Sequence, residues 1–194
     1  MAILLSVFPS DWGWLGMAVS RRGLAGLTLP QSTENGAWNR LCSAWPQGFP
    51  QEGSAWPELQ QRLQGYLDGK PVDFSGIPVD LPEGPPFWRR VWDLCARIPY
   101  GETRSYAELA REAGSPHAFR AVGGAMAANP VPIVVPCHRV VGSGGSLTGF
   151  GGGLEQKRRL LEMEAAATGR LGETETGREE VTSSPSPHLQ VAPS

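Results

Sequence analysis

Cys137 stands in the run Pro136-Cys137-His138-Arg139, after the apolar stretch Val131–Val135 and before Gly142–Gly153, which holds seven glycines among twelve residues. A thiol attacks as its thiolate, and neighbouring cations favour that form, so a cysteine followed by histidine and arginine is a candidate nucleophile. The apolar stretch predicts a buried strand that ends at Cys137. A second reading competes, because cysteine also serves as a small buried hydrophobe and a Cys-His dipeptide is common by chance. On the pair alone the structural reading is the more frequent one. The glycine-rich loop lets backbone groups approach a ligand closely, yet it lacks the Gly-x-x-x-x-Gly-Lys-Ser/Thr pattern of a phosphate loop.

The elements around this run are legible from caps and breakers. Phe87–Arg97 predicts a helix with Phe87, Val91, Leu94 and Cys95 on one face. Ser105-Tyr-Ala-Glu108 fits a capping box, so a short helix starts there and ends at Gly114. Ser115-Pro116 reads as an N-cap with proline at the first helical position, opening a second helix through His117 to Ala128 that Asn129-Pro130 stops. Two short helices across a Gly-Ser-Pro turn are either a helix-turn-helix or an ordinary αα-hairpin, and the pattern leaves both open. The second helix is smooth: Ala121, Gly123, Gly124, Ala125, Ala127 and Ala128 leave Arg120 as its one long cation. Leu154–Met163 predicts the last helix, with Lys157-Arg158-Arg159 along it and Glu164 at its end. From Ala165 onward Gly, Glu, Thr, Ser and Pro dominate, a composition that predicts disorder.

Towards the N-terminus, Trp14–Ser20 and Leu24–Leu29 alternate in the manner of strands about an Arg21-Arg22-Gly23 turn, a predicted hairpin. Pro57-Glu58-Leu59 opens a helix with Leu59, Leu63, Tyr66 and Leu67 at helical spacing, stopped by Gly69-Lys70-Pro71. Prolines 78, 82, 85 and 86 make Ile77–Pro86 an extended connector and place a domain boundary there.

Charge is uneven along the chain: five basic and eight acidic residues in 1–87, ten and five in 88–161, two and six in 162–194. A basic centre between acidic flanks suits an anionic partner such as nucleic acid, and a plain scatter of solvated surface arginines gives the same excess. Cys42, Cys95 and Cys137 lie far apart with no Cys/His cluster at metal spacing, which predicts reduced thiols, an intracellular location and no zinc. The apolar opening lacks a basic start and is interrupted by Pro9 and Asp11, so no signal peptide is expected, and no stretch is long enough for a membrane span.

Taken together, Ile98-Pro-Tyr-Gly-Glu-Thr103, Ser105-Tyr106, Arg120-Ala-Val-Gly123, Asn129-Pro130, Pro136-Cys-His-Arg-Val140, Gly149-Phe-Gly-Gly152, Lys157 and Leu160-Leu-Glu-Met-Glu164 resemble O6-alkylguanine-DNA alkyltransferases, over about residues 59–164. The resemblance implies an α/β (α+β) fold: a ribonuclease-H-like domain over 1–80, then a mostly helical domain over 81–164 that carries a helix-turn-helix, binds DNA and accepts the alkyl group. Residues 165–194 would be a disordered tail. It implies direct-reversal DNA repair as a single-turnover methylated-DNA–protein-cysteine S-methyltransferase, with no cofactor and no metal. Cys137 would take the alkyl group from O6-alkylguanine, with O4-alkylthymine a further candidate, in double-stranded DNA bound by a monomer. The compartment would be the cytoplasm in a prokaryote or the nucleus in a eukaryote.

The same resemblance assigns residue roles. His138 would deprotonate Cys137 through a water, with Glu164 orienting the imidazole and favouring its charged form. Asn129 would tie the helix pair to the active-site turn. Tyr106 would donate to the base ring and help the nucleotide rotate out. Arg120 would enter the minor groove and fill the vacated place, with Ala121 and Gly123 beside it against DNA. Pro132 and Phe150 would wall the pocket, and backbone groups of Cys137, Val140 and Gly151 would contact the base. Phe150 and Gly151 replace the tyrosine and serine frequent in the family, which removes hydroxyls from the pocket. Three other readings remain: a lesion sensor of the same fold without transfer, a helix-turn-helix regulator, and a Cys-His thiol hydrolase.

Overall fold

In the computed structural model, which describes residues 2–169, the alternating segments form the predicted hairpin. β2 (Gly13–Ser20) and β3 (Gly23–Leu27) pair antiparallel. Gly23 turns the chain at a φ of 136°, and a side chain there would collide with the Pro78 carbonyl. A strand the alternation did not announce, β1 (Leu4–Ser10), pairs antiparallel with β2. It escapes notice because Ser6, fully buried, faces the interior, where its hydroxyl accepts from the Ala55 N–H at 3.0 Å. β4 (Phe49–Pro50) runs parallel to β1, so the sheet order is β3-β2-β1-β4.

α1 (Glu34–Ala44), capped by the Thr33 hydroxyl accepting from the Gly36 N–H, buries Leu41 against Leu5, Ala18 and Ala25 of the sheet. Phe8, Leu15, Met17 and Leu24 join a second, larger cluster with Leu59, Leu63, Tyr66 and Leu67 of α2 (Pro57–Leu67). That cluster continues without a break into the C-terminal half. The proline-rich connector is tied to the free edge of β3: Leu24 donates to the Pro78 carbonyl at 2.9 Å, and Asp80 returns a bond to the Leu24 carbonyl at 2.8 Å. An edge suits proline, whose missing N–H interrupts no ladder there.

α3 (Pro86–Ala96) buries Val91, Trp92 and Cys95, leaving Phe87 and Leu94 half-buried. Its Trp92 indole N–H donates to the Ala125 carbonyl at 2.8 Å, fastening α3 to α5 (Phe119–Ala127). β5 (Arg104–Ser105) leads into α4 (Tyr106–Glu112), and the capping box is formed in both directions: the Ser105 hydroxyl accepts from the Glu108 N–H, and the Glu108 carboxylate accepts from the Ser105 N–H.

Three expectations are corrected. Ser115 does not cap the second helix, which starts only at Phe119. Its N–H is committed to the Ala110 carbonyl and its own carbonyl accepts from Ala118, so Ser115–Ala118 is the turn that closes α4. Val131–Val135 is not a strand but a tight turn, closed by Val135 N–H to the Val131 carbonyl at 2.9 Å. Finally α6 (Leu154–Ala167) continues past Met163, which sets Glu164 inside the helix and residues 165–167 with it. The remainder of the expected tail, 170–194, lies outside the described residues.

Candidate active site

Cys137 opens a single 3-10 turn, Cys137–Arg139, that leads into β6 (Val140–Val141), paired parallel with β5. The preceding loop is held by Asn129: its side-chain N–H donates to the Val135 carbonyl at 2.8 Å and its carbonyl oxygen accepts from the Val131 N–H at 3.1 Å. Within that bracket Ile133 adopts a φ of 74°, a conformation that costs a β-branched residue about 1–3 kcal/mol. The loop is thus over-determined, and it fixes where the sulfur points.

The flanking cations do not act on the sulfur as the sequence suggested. Burial pushes the Cys137 thiol up from its ordinary pKa. What opposes burial is the Asn129 side chain, then the charge of Lys157, then the N–H groups of Cys137 and His138 at the start of the 3-10 turn. Arg139 instead faces Glu164, donating from Nε at 3.0 Å and Nη2 at 2.8 Å, while its Nη1 donates to the Ile98 carbonyl at 2.6 Å.

Glu164 is the hub of the buried polar cluster. Besides Arg139, its carboxylate accepts from the Tyr66 hydroxyl at 2.5 Å and from the Gly101 N–H at 3.0 Å, and it lies 2.9 Å from His138 Nε2. Burial alone would raise its pKa, but His138 and Arg139 outweigh that and hold it at about 2. His138 is fully buried, and desolvation lowers its pKa against the opposing pull of Glu164, so the imidazole is neutral at rest. Glu164 favours the charged form, as expected, but burial of the ring outweighs it. With a carboxylate oxygen on Nε2, the hydrogen-bond network assigns the ring proton to Nε2. Nδ1 then carries the lone pair, and it is buried without a hydrogen-bond partner among the described residues.

In front of this cluster lies a cleft of about 1280 Å³ lined by Cys137, Tyr106, Phe150, Gly151 and Gly123. A smaller pocket of about 170 Å³ adjoins it, where Pro132, Met126, Phe150 and Gly151 surround Cys137. Asn129 also lines the smaller pocket. Val140 is buried away from both and offers its carbonyl to Lys157. Arg120 and Ala121 are exposed on α5, beside the cleft rather than in it. Beyond its own turn of helix, Gly123 has no described atom within 4 Å of where a Cβ would stand, so packing inside the fold does not require its small size. Among the described residues no group of three or more His, Cys, Asp or Glu could hold a metal ion, and no helix is long and apolar enough to cross a membrane.

A family profile described as the 6-O-methylguanine DNA methyltransferase DNA-binding domain matches residues 86–166. A methylated-DNA–protein-cysteine methyltransferase of Mycobacterium leprae is 49% identical over 117 residues, 60% of this chain and 70% of its own length. The chain belongs to this methyltransferase family. Its fold agrees: the crystal structure of Mycobacterium tuberculosis O6-methylguanine methyltransferase superposes with a TM-score of 0.70 at 38% identity, covering 85% of this chain and 94% of that one. The structure of the same organism's protein in complex with DNA gives a TM-score of 0.70 at 37% identity over 86% and 94%.

Three groups around Cys137 and Glu164 have places that the sequence did not reveal. Tyr66 comes from α2, 98 positions from Glu164, and carried only a helical-spacing signal that marks any core residue. Arg139 looked like an activator of the thiol, whereas it is the counter-ion of Glu164. In the sequence Lys157 is only one of three basic residues along the last helix, with no role assigned, yet it is fully buried, and its ammonium donates to the Val140 carbonyl at 2.6 Å and the Thr148 carbonyl at 3.0 Å. It thereby ties the glycine-rich loop to the strand that follows Cys137.

Proposed function

We propose that this protein repairs DNA by direct reversal, transferring the alkyl group of O6-alkylguanine to Cys137, once per molecule. The observation that carries the reading is the juxtaposition of a buried thiol at the cleft with a neutral imidazole behind it, whose protonated nitrogen is held by Glu164. His138 Nδ1 receives the thiol proton through one water. The thiolate attacks the alkyl carbon, a C–S bond forms, the C–O bond breaks, and its electron pair returns to guanine O6. The resulting imidazolium is stabilised by Glu164, and the thioether has no second nucleophile to release it.

The base reaches Cys137 by rotating out of the duplex through the minor groove. Arg120 fills its place, Tyr106 contacts the ring, and Ala121 and Gly123 lie against the backbone. Pro132 and Phe150 enclose the base, with backbone groups of Cys137 and Gly151 contacting it, while Val140, whose carbonyl is held by Lys157, supports that wall from behind. O4-alkylthymine, with the same alkyl–oxygen bond, is a second substrate. The architecture we assign is a ribonuclease-H-like domain over 1–80, supported by the β3-β2-β1-β4 order with one parallel pair. A DNA-binding domain over 81–164 follows, in which α4 and α5 with the turn between them form a helix-turn-helix, acting as a monomer.

The test is single-turnover repair of a duplex carrying one O6-methylguanine, with restored guanine counted against protein. Product should plateau at one equivalent. Continued turnover would make the protein an enzyme of the hydrolase kind, and binding without product would make it a lesion sensor.

A further inference from the structure

Phe119 is one of four large apolar side chains that stand exposed among the described residues, at 48% of its full accessibility. It is the only one of the four that lines the cleft containing Cys137. Phe119 is the first residue of α5, and Gly123 and Ala127 follow it at four-residue intervals, all three along the same cleft. Residues at this spacing share one face of a helix. That face therefore presents one exposed bulky apolar group at its N-terminal end, followed only by Gly123, Ala127 and the buried Met126.

Arg120 is exposed beside it, and its guanidinium carbon lies 6.0 Å from the Phe119 ring centroid. Consecutive helical residues diverge by about 100°, so this contact brings the two side chains to the same end of the cleft. An exposed phenylalanine gains nothing in water, and no packing in the fold demands it there. Next to a cation, on a smooth helix, at the mouth of a site that takes a base from duplex DNA, it matches the chemistry of an apolar wedge. Such side chains enter a base step from the minor groove and partly unstack it.

We propose that Phe119 is a second minor-groove probe, wedging the base step that adjoins the extruded nucleotide while Arg120 occupies the gap. The inference rests on the DNA-repair reading above. Its occupant is an unstacked step of double-stranded DNA.

Full-length Phe119→Ala, Phe119→Leu and parent protein are compared on three readouts: the rate with a free O6-alkylated guanine base, the rate and affinity with a lesion duplex, and the fluorescence of 2-aminopurine placed next to the lesion. Phe119→Ala should react with the free base within about twofold of parent, bind the duplex on the order of tenfold more weakly, and lose much of the fluorescence rise that reports unstacking. Phe119→Leu, still an apolar wedge, should recover most of both. A Phe119→Ala variant that binds, repairs and unstacks the duplex as parent does overturns the wedge alone. So does an equal slowing on free base and duplex, which would make Phe119 a support of the fold. A parent protein that leaves Cys137 unmodified by the duplex overturns the repair reading itself, a separate result.

Discussion

Glu164→Gln replaces one oxygen of a fully buried carboxylate by an NH2 group and changes almost no volume. Every neighbour of that carboxylate is a donor: Tyr66 hydroxyl, Gly101 N–H, two nitrogens of Arg139, and His138 Nε2. Whichever way the amide turns, its NH2 faces donors, and the Arg139 guanidinium, with 7% of its side chain exposed, loses its counter-ion. Removing one partner of such a buried pair costs about 3–5 kcal/mol, against a total stability of roughly 5–15 kcal/mol for a domain. At about 2–4 °C per kcal/mol for a protein of this size, Tm should fall by about 6–20 °C. The pH dependence gives a second handle. Glu164 is held at about 2 instead of 4.5, so its contribution is present above the unfolded value and is lost as pH falls from 4.5 towards 2. The gap in stability between parent and variant should therefore be widest near neutrality and narrow across that window. Denaturant melts at a series of pH values measure it, and the free-base reaction of still-folded variant should slow by roughly two orders of magnitude or more. A Glu164→Gln protein that melts within a degree or two of parent at neutral pH would refute the reasoning, since the carboxylate would then not be the buried counter-ion described.

Tyr66→Phe removes a hydrogen bond to a charged acceptor worth about 1.5–3 kcal/mol, so melts should show a loss of that order while duplex affinity, measured by gel shift, stays at the parent value because Tyr66 is wholly buried. Arg120→Ala should slow repair of duplex DNA far more than reaction with the free alkylated base, because extrusion of a nucleotide costs on the order of a few kcal/mol that the free base does not incur; equal slowing on both substrates contradicts the role assigned to Arg120. Lys157→Met leaves the Val140 and Thr148 carbonyls without their donor, and should slow free-base and duplex reactions together while making the Gly142–Gly153 loop more open to limited proteolysis.

Local chemistry was legible and long-range chemistry was not. The Ser105/Glu108 capping box and the Gly23 reversal are written within four residues of chain, and both form as read. Cys137 and His138 could be picked out by residue type and Glu164 through the family resemblance, but their electrostatics could not, because the groups that set them arrive from elsewhere: Tyr66 from α2, Gly101 from the loop before β5, Lys157 from α6. Val131–Val135 misled because an apolar run reports burial, not backbone conformation, and the turn is dictated by the Asn129 side chain at both its ends. The start of α5 was misplaced because Ser115 is equally suited to close one helix or cap the next, and the Ala110 carbonyl decides.

The central claim is that Cys137 is the acceptor of the alkyl group. Intact-protein mass followed by peptide mapping, after reaction with an excess of duplex containing O6-methylguanine, tests it most directly. The account predicts one added methyl group per protein, on the peptide that contains Cys137, with no further gain on longer incubation. An unmodified Cys137 peptide from protein that has restored guanine in the DNA would contradict it.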